Sequence, residues 1–107
     1  IHVSPEQANN LALIINELMT NAVKYAANRT SAKLVISVRI SQVDDEIQLE
    51  FRDNGPGYAP DMLELDPDAF DIGFEVIHNV VRRNLQGQLS LHNDQGAVTR
   101  ICFKAQA

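Results

Sequence analysis

The sequence of 107 residues has no tryptophan and a single cysteine, Cys102. One cysteine supports neither a disulfide framework nor a cysteine-based metal site, and this scarcity is typical of cytosolic proteins. Bases are also few, nine against fourteen acids, and the net charge of -5 argues against a nonspecific nucleic-acid binder. No stretch of about 18 consecutive apolar residues is present, so we expect no membrane contact from this domain, although a longer protein could carry an anchor elsewhere.

The rest of the composition is that of a globular protein, and we expect one domain over residues 1–107. Hydrophobic residues make up 45% of the chain, which at this length is enough for one core but not for two. Apolar patterns follow one another in the order helix, strand, strand, loop, helix, strand, strand. Two helices and four or five strands predict an α+β fold, a two-layer sandwich whose mixed, mostly antiparallel sheet has helices on one face.

Two helices are predicted from caps and apolar periods. Ser4 and Gln7 form a capping-box pattern that begins a helix running from residue 5 to about Ala27. A second helix is predicted over residues 72–85, where apolar residues recur every three or four positions. Gly87 follows it and is predicted to be its C-cap.

The strands are predicted from alternating apolar and polar residues and from the turns between them. Four half-buried strands are expected, at residues 33–41, 47–53, 88–93 and 97–104. Asp44 and Asp45 suit a hairpin turn between the first two. Residues 58–70 are acidic, contain two prolines and show no clear period, which predicts a mobile loop that could contain one helical turn, at residues 62–65.

The first predicted helix carries two stripes of different chemistry. Its apolar stripe comprises Leu11, Ile15, Leu18, Ala22 and Ala26. Its polar stripe lies within a narrow arc at ~100° per residue and comprises Asn10, Glu17, Asn21, Lys24 and Asn28. A carboxylate with an amide oxygen one turn later suits Mg2+, and an amine beside them suits phosphate. A solvated face with one helical ion pair has the same pattern, so the helix alone leaves both interpretations open.

A second chemical feature follows the strand at residues 47–53. Asp53 ends that strand on its inward face, where a carboxylate is costly unless it has a partner. Gly55 and Gly57 come next, and glycine allows the backbone a close approach to a ligand. The second helix begins with the sequence DIGF, residues 71–74. Each feature is weak alone, but their order and spacing together are specific.

Together these features resemble the Bergerat-type ATP-binding domain shared by DNA gyrase, heat-shock chaperones, mismatch-repair ATPases and sensor histidine kinases. Within that superfamily the chain looks most like the catalytic domain of a bacterial histidine kinase, over essentially its whole length. Residues 16–25 (NELMTNAVKY) resemble the N box in the Glu-bearing version of the HWE-like subfamily. Residues 53–57 (DNGPG) resemble the first glycine box, and residues 71–74 (DIGF) resemble a shortened second one.

The resemblance implies a cation and phosphate site on the first helix. Asn21 would bind Mg2+ through its amide oxygen, and Glu17 would hold a magnesium-bound water or act catalytically on the attacking group. Lys24 would face phosphate oxygens, the alternative being a solvent-facing side chain. Gly73, with Phe74 in the same box, would let the second helix bring its N-terminus close to the phosphates.

The resemblance also implies an adenine site. Tyr25 would pack along the base, the alternative being ordinary packing at the rim. Asp53 would accept a hydrogen bond from the adenine amino group, which gives its inward carboxylate a partner. Gly55 and Gly57 would bring backbone close to the base and the ribose.

Two positions depart from the family pattern. Asp71 precedes a single glycine, Gly73, where a richer glycine box is usual, and this acid would either repel phosphates or lie outside the pocket. Gly96 and Ala97 replace the Gly-Thr pair that usually assists adenine recognition in the last hairpin. Thr99, on the same strand face, is the candidate substitute.

The resemblance implies the ATP-binding catalytic domain of a two-component sensor histidine kinase, with ATP and Mg2+ as cofactors, in the cytoplasm. It would transfer the γ-phosphoryl group to a histidine on a separate dimerisation and phosphoacceptor domain, because His2, His78 and His92 lie in the wrong contexts. A response regulator would be reached only indirectly, and no nucleic acid partner is expected. Two alternatives stay open: a related serine kinase that acts as an anti-sigma factor, and a degenerate domain used only as a nucleotide-binding or interaction module.

Overall fold

The helices and strands follow the predicted order in the computed structural model, which describes residues 1–26 and 33–106. The helices are α1 (Pro5–Asn21), α2 (Pro60–Leu63) and α3 (Ile72–Asn79). The strands are β1 (Ile36–Val43), β2 (Glu46–Asp53), β3 (Gln88–Asn93) and β4 (Ala97–Lys104). Wider π-helical turns extend α1 and α3 over Ala22–Ala26 and Val80–Asn84, and a 3-10 turn covers Pro67–Ala69.

The strands form one sheet in the order β1-β2-β4-β3, and every neighbouring pair is antiparallel. The core combines side chains from α1 and α3 with one face of β2 and β4, among them Ile14, Leu18, Phe74, Ile77, Leu49, Phe51 and Ile101. Burial of one such side chain contributes about 1.5–3 kcal/mol. The predicted two-layer α+β fold is confirmed, while the described sheet lacks the parallel pair that a mixed sheet would have.

Helix α1 begins as predicted. Ser4 Oγ accepts a hydrogen bond from the Gln7 N–H, and the Gln7 side chain accepts one from the Ser4 N–H, which completes the capping box. The buried Gln7 amide also donates to the Lys104 carbonyl oxygen at 2.8 Å and thereby ties the start of α1 to the end of β4. The predicted helix end at Ala27 and the polar-stripe residue Asn28 lie outside the described residues. No helix in the described part of the chain is long and apolar enough to cross a membrane.

The apolar stripe of α1 is rotated slightly from its predicted position. Three predicted members are buried: Leu11, Leu18 and Ala22. Ile14, which the prediction omitted, is 0% exposed, whereas the predicted Ile15 is half-buried. The side chain of Ala26 lies outside the description.

Helix α3 confirms its predicted apolar stripe, but Gly87 has a different role from the one expected. All five stripe residues are buried: Phe74, Ile77, Val80, Val81 and Leu85. The left-handed residue after the helix is Gln86, with φ of 52°. A Cβ on Gly87 would collide with the carbonyl oxygen of Cys102 on β4. Gly87 is therefore required by this close contact between segments, and the interpretation that it serves only as a helix cap is wrong.

Strand β1 also differs from its prediction. It covers Ile36–Val43 rather than residues 33–41. Its register pairs Val38 with Phe51, which places Val38 on the core face of the sheet. Val38 and Ile40 nevertheless remain 43% and 37% exposed, because β1 is an edge strand and no described element covers this part of it. The expectation of a half-buried strand is therefore wrong for β1.

The segment at residues 58–70 is more regular than the predicted loop. It contains α2 and the 3-10 turn, and its ends are anchored by aromatic side chains. The Phe70 ring packs against Phe74 with centroids 4.8 Å apart, and Tyr58 meets Phe74 edge-on at 6.3 Å. The one predicted helical turn is present, at Pro60–Leu63 instead of 62–65, and the 3-10 turn and the aromatic contacts are features that the sequence did not predict.

The outer face of the sheet carries an ion network centred on Glu50. Its carboxylate accepts hydrogen bonds from Arg52 Nε at 2.9 Å and from Arg100 Nε at 2.8 Å. Arg52 also bonds Asp94 at 2.9 Å. The hydrogen bond from Arg52, followed by that from Arg100, lowers the pKa of Glu50 from its ordinary 4.5 to about 2.

We predict that this network makes the stability of the domain depend on acid pH. Because the folded-state pKa of Glu50 is lowered, its stabilisation is present above pH 4.5 and is lost as the pH falls towards 2. Glu50→Gln should lower the free energy of unfolding at pH 7 by about 1 kcal/mol or less, since the pairs are solvent-accessible. The difference from the parent should shrink as the pH falls from 4.5 to 2, measured by urea denaturation.

Glu46→Gln is the matched control, because Glu46 lies on the same strand without forming an ion pair in the described residues. A Glu50→Gln penalty that stays constant from pH 7 to pH 2 would contradict the prediction.

Candidate functional site

A cavity of about 280 Å³ opens between the C-terminal end of α1, the end of β2 and the start of α3. Five of the predicted site residues line it: Asn21, Tyr25, Asp53, Gly57 and Phe74. The other predicted site residues, which lie around the cavity without lining it, are Glu17, Lys24, Gly55, Gly73 and Thr99. The structure therefore brings the residues of the N box and of the first glycine box to one cavity.

Asp53 connects the three segments that form one end of this cavity. Its Oδ1 atom accepts hydrogen bonds from the Gly55 N–H at 2.8 Å and from the Ala97 N–H at 3.3 Å. Gly96 has φ of 141°, and a Cβ there would collide with the backbone carbonyl of Asp53. The Oδ2 atom takes no part in these bonds, so the carboxylate leaves one acceptor at the cavity wall.

The glycine turn after Asp53 is shaped by a close contact with the β3–β4 turn. Gly57 has φ of +86°, and a Cβ there would lie 2.7 Å from Asn93 Oδ1. Asn93 Oδ1 accepts from the Tyr58 N–H at 2.7 Å, and its Nδ2 donates to the Tyr58 carbonyl oxygen at 3.0 Å. Only glycine combines this backbone conformation with this close approach.

Tyr58 forms a wall of the cavity and is held by Thr99. The two hydroxyl oxygens are 2.6 Å apart, and Thr99 is only 1% exposed. Burial raises the pKa of Tyr58 to about 12, although the hydrogen bond with Thr99 acts in the opposite direction. The phenol is therefore neutral at physiological pH, and Thr99 supports the wall from behind rather than facing the cavity.

Three side-chain oxygens surround Gly73 at the start of α3. A Cβ on Gly73 would lie 2.9 Å from Glu17 Oε2, 3.4 Å from Asn21 Oδ1 and 3.6 Å from Asp71 Oδ1. The absence of a side chain at Gly73 leaves this space to the polar atoms. The next residue, Phe74, is 1% exposed and contributes an apolar wall to the cavity.

Tyr25 and Asp71 meet across the cavity. The Tyr25 hydroxyl donates to Asp71 Oδ2 at 2.7 Å, while Asp71 Oδ1 accepts from the Phe74 N–H at 2.7 Å and thereby caps α3. Lys24 is exposed, and its amine lies 5.1 Å from the centre of the Tyr25 ring. Asp71 lines the cavity, so the possibility that it lies outside the pocket is wrong.

The cavity has two ends of different chemistry. At one end, a single carboxylate acceptor lies beside apolar side chains such as Phe51 and Met62. At the other end, carboxylate and amide oxygens converge, a set that suits a hard cation such as Mg2+. No group of three or more His, Cys, Asp or Glu side chains that could hold a metal is found within residues 1–26 and 33–106; the oxygens around Gly73 combine two carboxylates with one amide.

Sequence reasoning missed several residues that complete the walls. These are mainly apolar or small: Leu18, Phe51, Pro56, Tyr58, Ala59, Met62 and Ala69. Tyr58 had a usable signal, because it directly follows the second glycine of the turn. The others belong to the cavity only through the packing of distant segments, as when Tyr58 and Phe70 bring segment 58–70 against Phe74 of α3.

Comparison with protein families agrees with this arrangement. Residues 6–107 match the model of a family described as histidine kinase-, DNA gyrase B- and HSP90-like ATPases. A search of curated proteins returned no match.

Solved structures with the same fold include several histidine kinase domains. The histidine kinase domain from the Erythrobacter litoralis EL346 blue-light activated histidine kinase superposes with a TM-score of 0.76 at 23% identity, covering 94% of this chain and 45% of that one. The histidine kinase AdeS from Acinetobacter baumannii gives 0.67 at 26%, covering 92% and 47%. The ATP binding domain of PrrB from Mycobacterium tuberculosis gives 0.72 at 18%, covering 92% and 69%. This chain thus spans less than half of the first two structures.

We predict that the Tyr58–Thr99 hydrogen bond stabilises the cavity wall. Tyr58→Phe should leave the buried Thr99 hydroxyl without its partner and lower the free energy of unfolding by about 1–3 kcal/mol. Thr99→Val in the Tyr58→Phe background should restore part of that loss, since no unpaired hydroxyl then remains. Urea denaturation of both single variants, the double variant and the parent measures the coupling, and simple additivity of the two changes would refute it.

Proposed function

Since this chain belongs to the family of histidine kinase-, DNA gyrase B- and HSP90-like ATPases, we propose that it is the ATP-binding catalytic domain of a sensor histidine kinase. It transfers the γ-phosphoryl group of ATP to a histidine on a separate dimerisation and phosphoacceptor domain. The single observation that carries this proposal is that one cavity joins the Asp53 acceptor to the Asn21 end of α1. A nucleotide needs both, one for its base and one for its phosphates.

The Asp53 end suits adenine. The Oδ2 atom of Asp53 accepts a hydrogen bond from the exocyclic amino group, while Oδ1 keeps the turn and β4 in place. Phe51, Met62 and Phe74 supply apolar contacts for the ring, and Tyr25 packs at its edge. The cavity volume lies just below the range of about 300–1,000 Å³ for small-molecule sites, so the phosphates extend past the closed part towards Lys24.

The Gly73 end suits Mg2+ and phosphate. Asn21 Oδ1 and the Glu17 carboxylate are oxygen donors of the kind that Mg2+ prefers, and they lie on the same side of α1 beside Gly73. When bound, Mg2+ neutralises the charge that develops on the transferred phosphoryl group. The chain itself contributes positioning: Asn21 orients the phosphates, and Glu17 orients or deprotonates the accepting group.

The accepting histidine must come from another domain. His2, His78 and His92 do not line the cavity, and His78 is packed against the Phe70 ring at 5.3 Å between centroids. The proposal therefore includes a partner domain that carries the phosphoacceptor, a response regulator reached through it, and a cytoplasmic setting for two-component signalling. We also propose membership of the HWE-like subfamily, because residues 16–25 resemble its Glu-bearing N box and residues 71–74 resemble its shortened second glycine box.

A nucleotide-binding module without catalysis is the second candidate, because the Tyr25–Asp71 hydrogen bond places a carboxylate where phosphates are expected. Calorimetric titration of this domain with ATP and Mg2+ tests the site first, and absence of binding overturns the proposal. Addition of a phosphoacceptor domain with labelled ATP then separates the two candidates, since only a kinase labels the histidine.

We predict that Asp53→Asn weakens ATP binding at least tenfold. Asparagine keeps an oxygen for the Gly55 and Ala97 N–H groups but places an amide donor against the donor of adenine. The mismatch leaves a polar group unpaired, which costs about 1–3 kcal/mol. Calorimetry measures the affinity, and thermal denaturation checks the fold.

Asp45→Asn in the β1–β2 turn is the matched control, because it makes the same chemical change at an exposed position away from the cavity. Equal ATP affinity in Asp53→Asn and the parent would remove Asp53 from the adenine site.

We further predict that Asn21 and Glu17 have separable roles. Asn21→Ala should weaken Mg2+-dependent ATP binding by about 1–3 kcal/mol, because a neutral ligand is lost. Glu17→Ala should leave nucleotide binding largely intact and slow phosphoryl transfer when the phosphoacceptor domain is supplied. The measurements are calorimetry and single-turnover transfer at saturating ATP and Mg2+.

Asn16→Ala controls for the loss of an exposed asparagine from the same helix. Transfer at the parent rate by Glu17→Ala would mean that Glu17 has no catalytic role.

A further inference from the structure

We propose, resting on the proposed function, that Asp71 makes this site select nucleotide complexed with a divalent cation over free nucleotide. Asp71 would join Asn21 as an oxygen donor towards the cation, with Glu17 holding a cation-bound water beside them. Without the cation, its carboxylate repels the triphosphate.

The first observation is the position of Asp71. It lines the same cavity as Asp53 and Asn21. Its Oδ1 atom belongs to the oxygen cluster around Gly73, in which all three atoms lie within 3.6 Å of the position that a Cβ would take. A phosphate that reaches the start of α3 therefore approaches two carboxylates and one amide.

The second observation is that Asp71 already occupies the anion-binding end of α3. Free N–H groups at a helix N-terminus ordinarily favour phosphate. Here Asp71 Oδ1 accepts from the Phe74 N–H at 2.7 Å, so a carboxylate of this chain takes the place of the ligand anion. The dipole of the helix is thus directed at Asp71, and a bare phosphate gains little from it.

The third observation is that Asp71 is fixed in place. Its other oxygen accepts from the Tyr25 hydroxyl at 2.7 Å, so both oxygens are oriented by hydrogen bonds. Each carboxylate oxygen still has a free lone pair and can accept a further partner. The Asp71 carboxylate repels a bare triphosphate, but a hard cation between Asp71, Asn21 and the phosphates attracts both negative groups.

Calorimetric titration with ATP, in EDTA and in saturating Mg2+, tests the proposal. The quantity compared is the affinity ratio, which is the affinity for ATP in Mg2+ divided by the affinity for ATP in EDTA. Asp71→Asn removes the charge and keeps the cap, because asparagine caps helices as well as aspartate does. The expected result is that ATP binding in EDTA becomes about tenfold tighter or more, while binding in Mg2+ becomes no tighter. The affinity ratio then falls at least tenfold.

One control separates the local charge of Asp71 from the overall charge of the domain. Asp68→Asn removes one negative charge from an exposed residue that does not line the cavity, and the affinity ratio should stay at the parent value. Asp71→Ser, a second good N-cap, replaces Asp71→Asn if that variant is unstable.

The outcomes distinguish this proposal from the proposed function. A parent that binds ATP, together with an Asp71→Asn ratio equal to the parent ratio, overturns the role of Asp71 and leaves the ATP site standing. Absence of ATP binding by the parent in both EDTA and Mg2+ overturns the proposed function, and the role of Asp71 with it. Adenosine, which has no phosphates, should bind parent and Asp71→Asn equally in both solutions, and an Mg2+-dependent difference for adenosine contradicts the charge explanation.

Discussion

One oxygen atom of the Asp53 carboxylate connects the segments that form the candidate site. Asp53 Oδ1 bonds the backbone of Gly55 in the turn after β2 and that of Ala97 at the start of β4. Because β2 and β4 are neighbours in the sheet, this bond fixes where both strands stop pairing and where the cavity begins. Gly96 must lack a side chain, because the Asp53 backbone lies against it. These contacts fix the position of Asp53, and its second carboxylate oxygen, Oδ2, remains available to a ligand.

Those parts of the fold that have one solvent face and one core face could be predicted from the sequence. Strand β2 alternates cleanly, and every predicted inward residue of β2 and β4 is apolar and buried except Asp53, which is half-buried, and Thr99, which is buried but polar. Val98 interrupts the alternation of β4, because it lies on the opposite face and is 0% exposed. Helix α3 shows its stripe equally well. In these elements the spacing of apolar residues predicts which side chains are buried, because the other layer of the fold covers the whole core-facing side. The resemblance of residues 16–25 and 53–57 to known motifs likewise pointed to Asn21, Gly57 and Asp53, and these three residues line one cavity.

What could not be predicted depends on contacts between distant parts of the chain. The alternation of β1 correctly gives the face of Val38, but not that this face is left uncovered at the sheet edge. Gly87 follows a helix, as a cap would, yet its constraint comes from the Cys102 backbone on β4. The order of segment 58–70 comes from Phe70 and Tyr58 packing on Phe74. A local sequence pattern does not identify contact partners elsewhere in the chain, so apolar periodicity alone could not predict these contacts.

The two tyrosine hydroxyl contacts at the cavity differ in what they permit. The bond between Tyr58 and Thr99 is buried, and with the pKa of Tyr58 raised to about 12 the phenol stays neutral, so breaking it would leave unpaired polar groups in the interior. The bond between Tyr25 and Asp71 joins a residue that is 42% exposed to one that lines the cavity, so Asp71 is oriented on the side that solvent and a ligand can reach. The two contacts thus divide the cavity into a buried wall at Tyr58 and an accessible, charged side at Asp71. A charged ligand therefore meets Asp71 in an orientation that the hydrogen bonds from Tyr25 and from the Phe74 N–H already define.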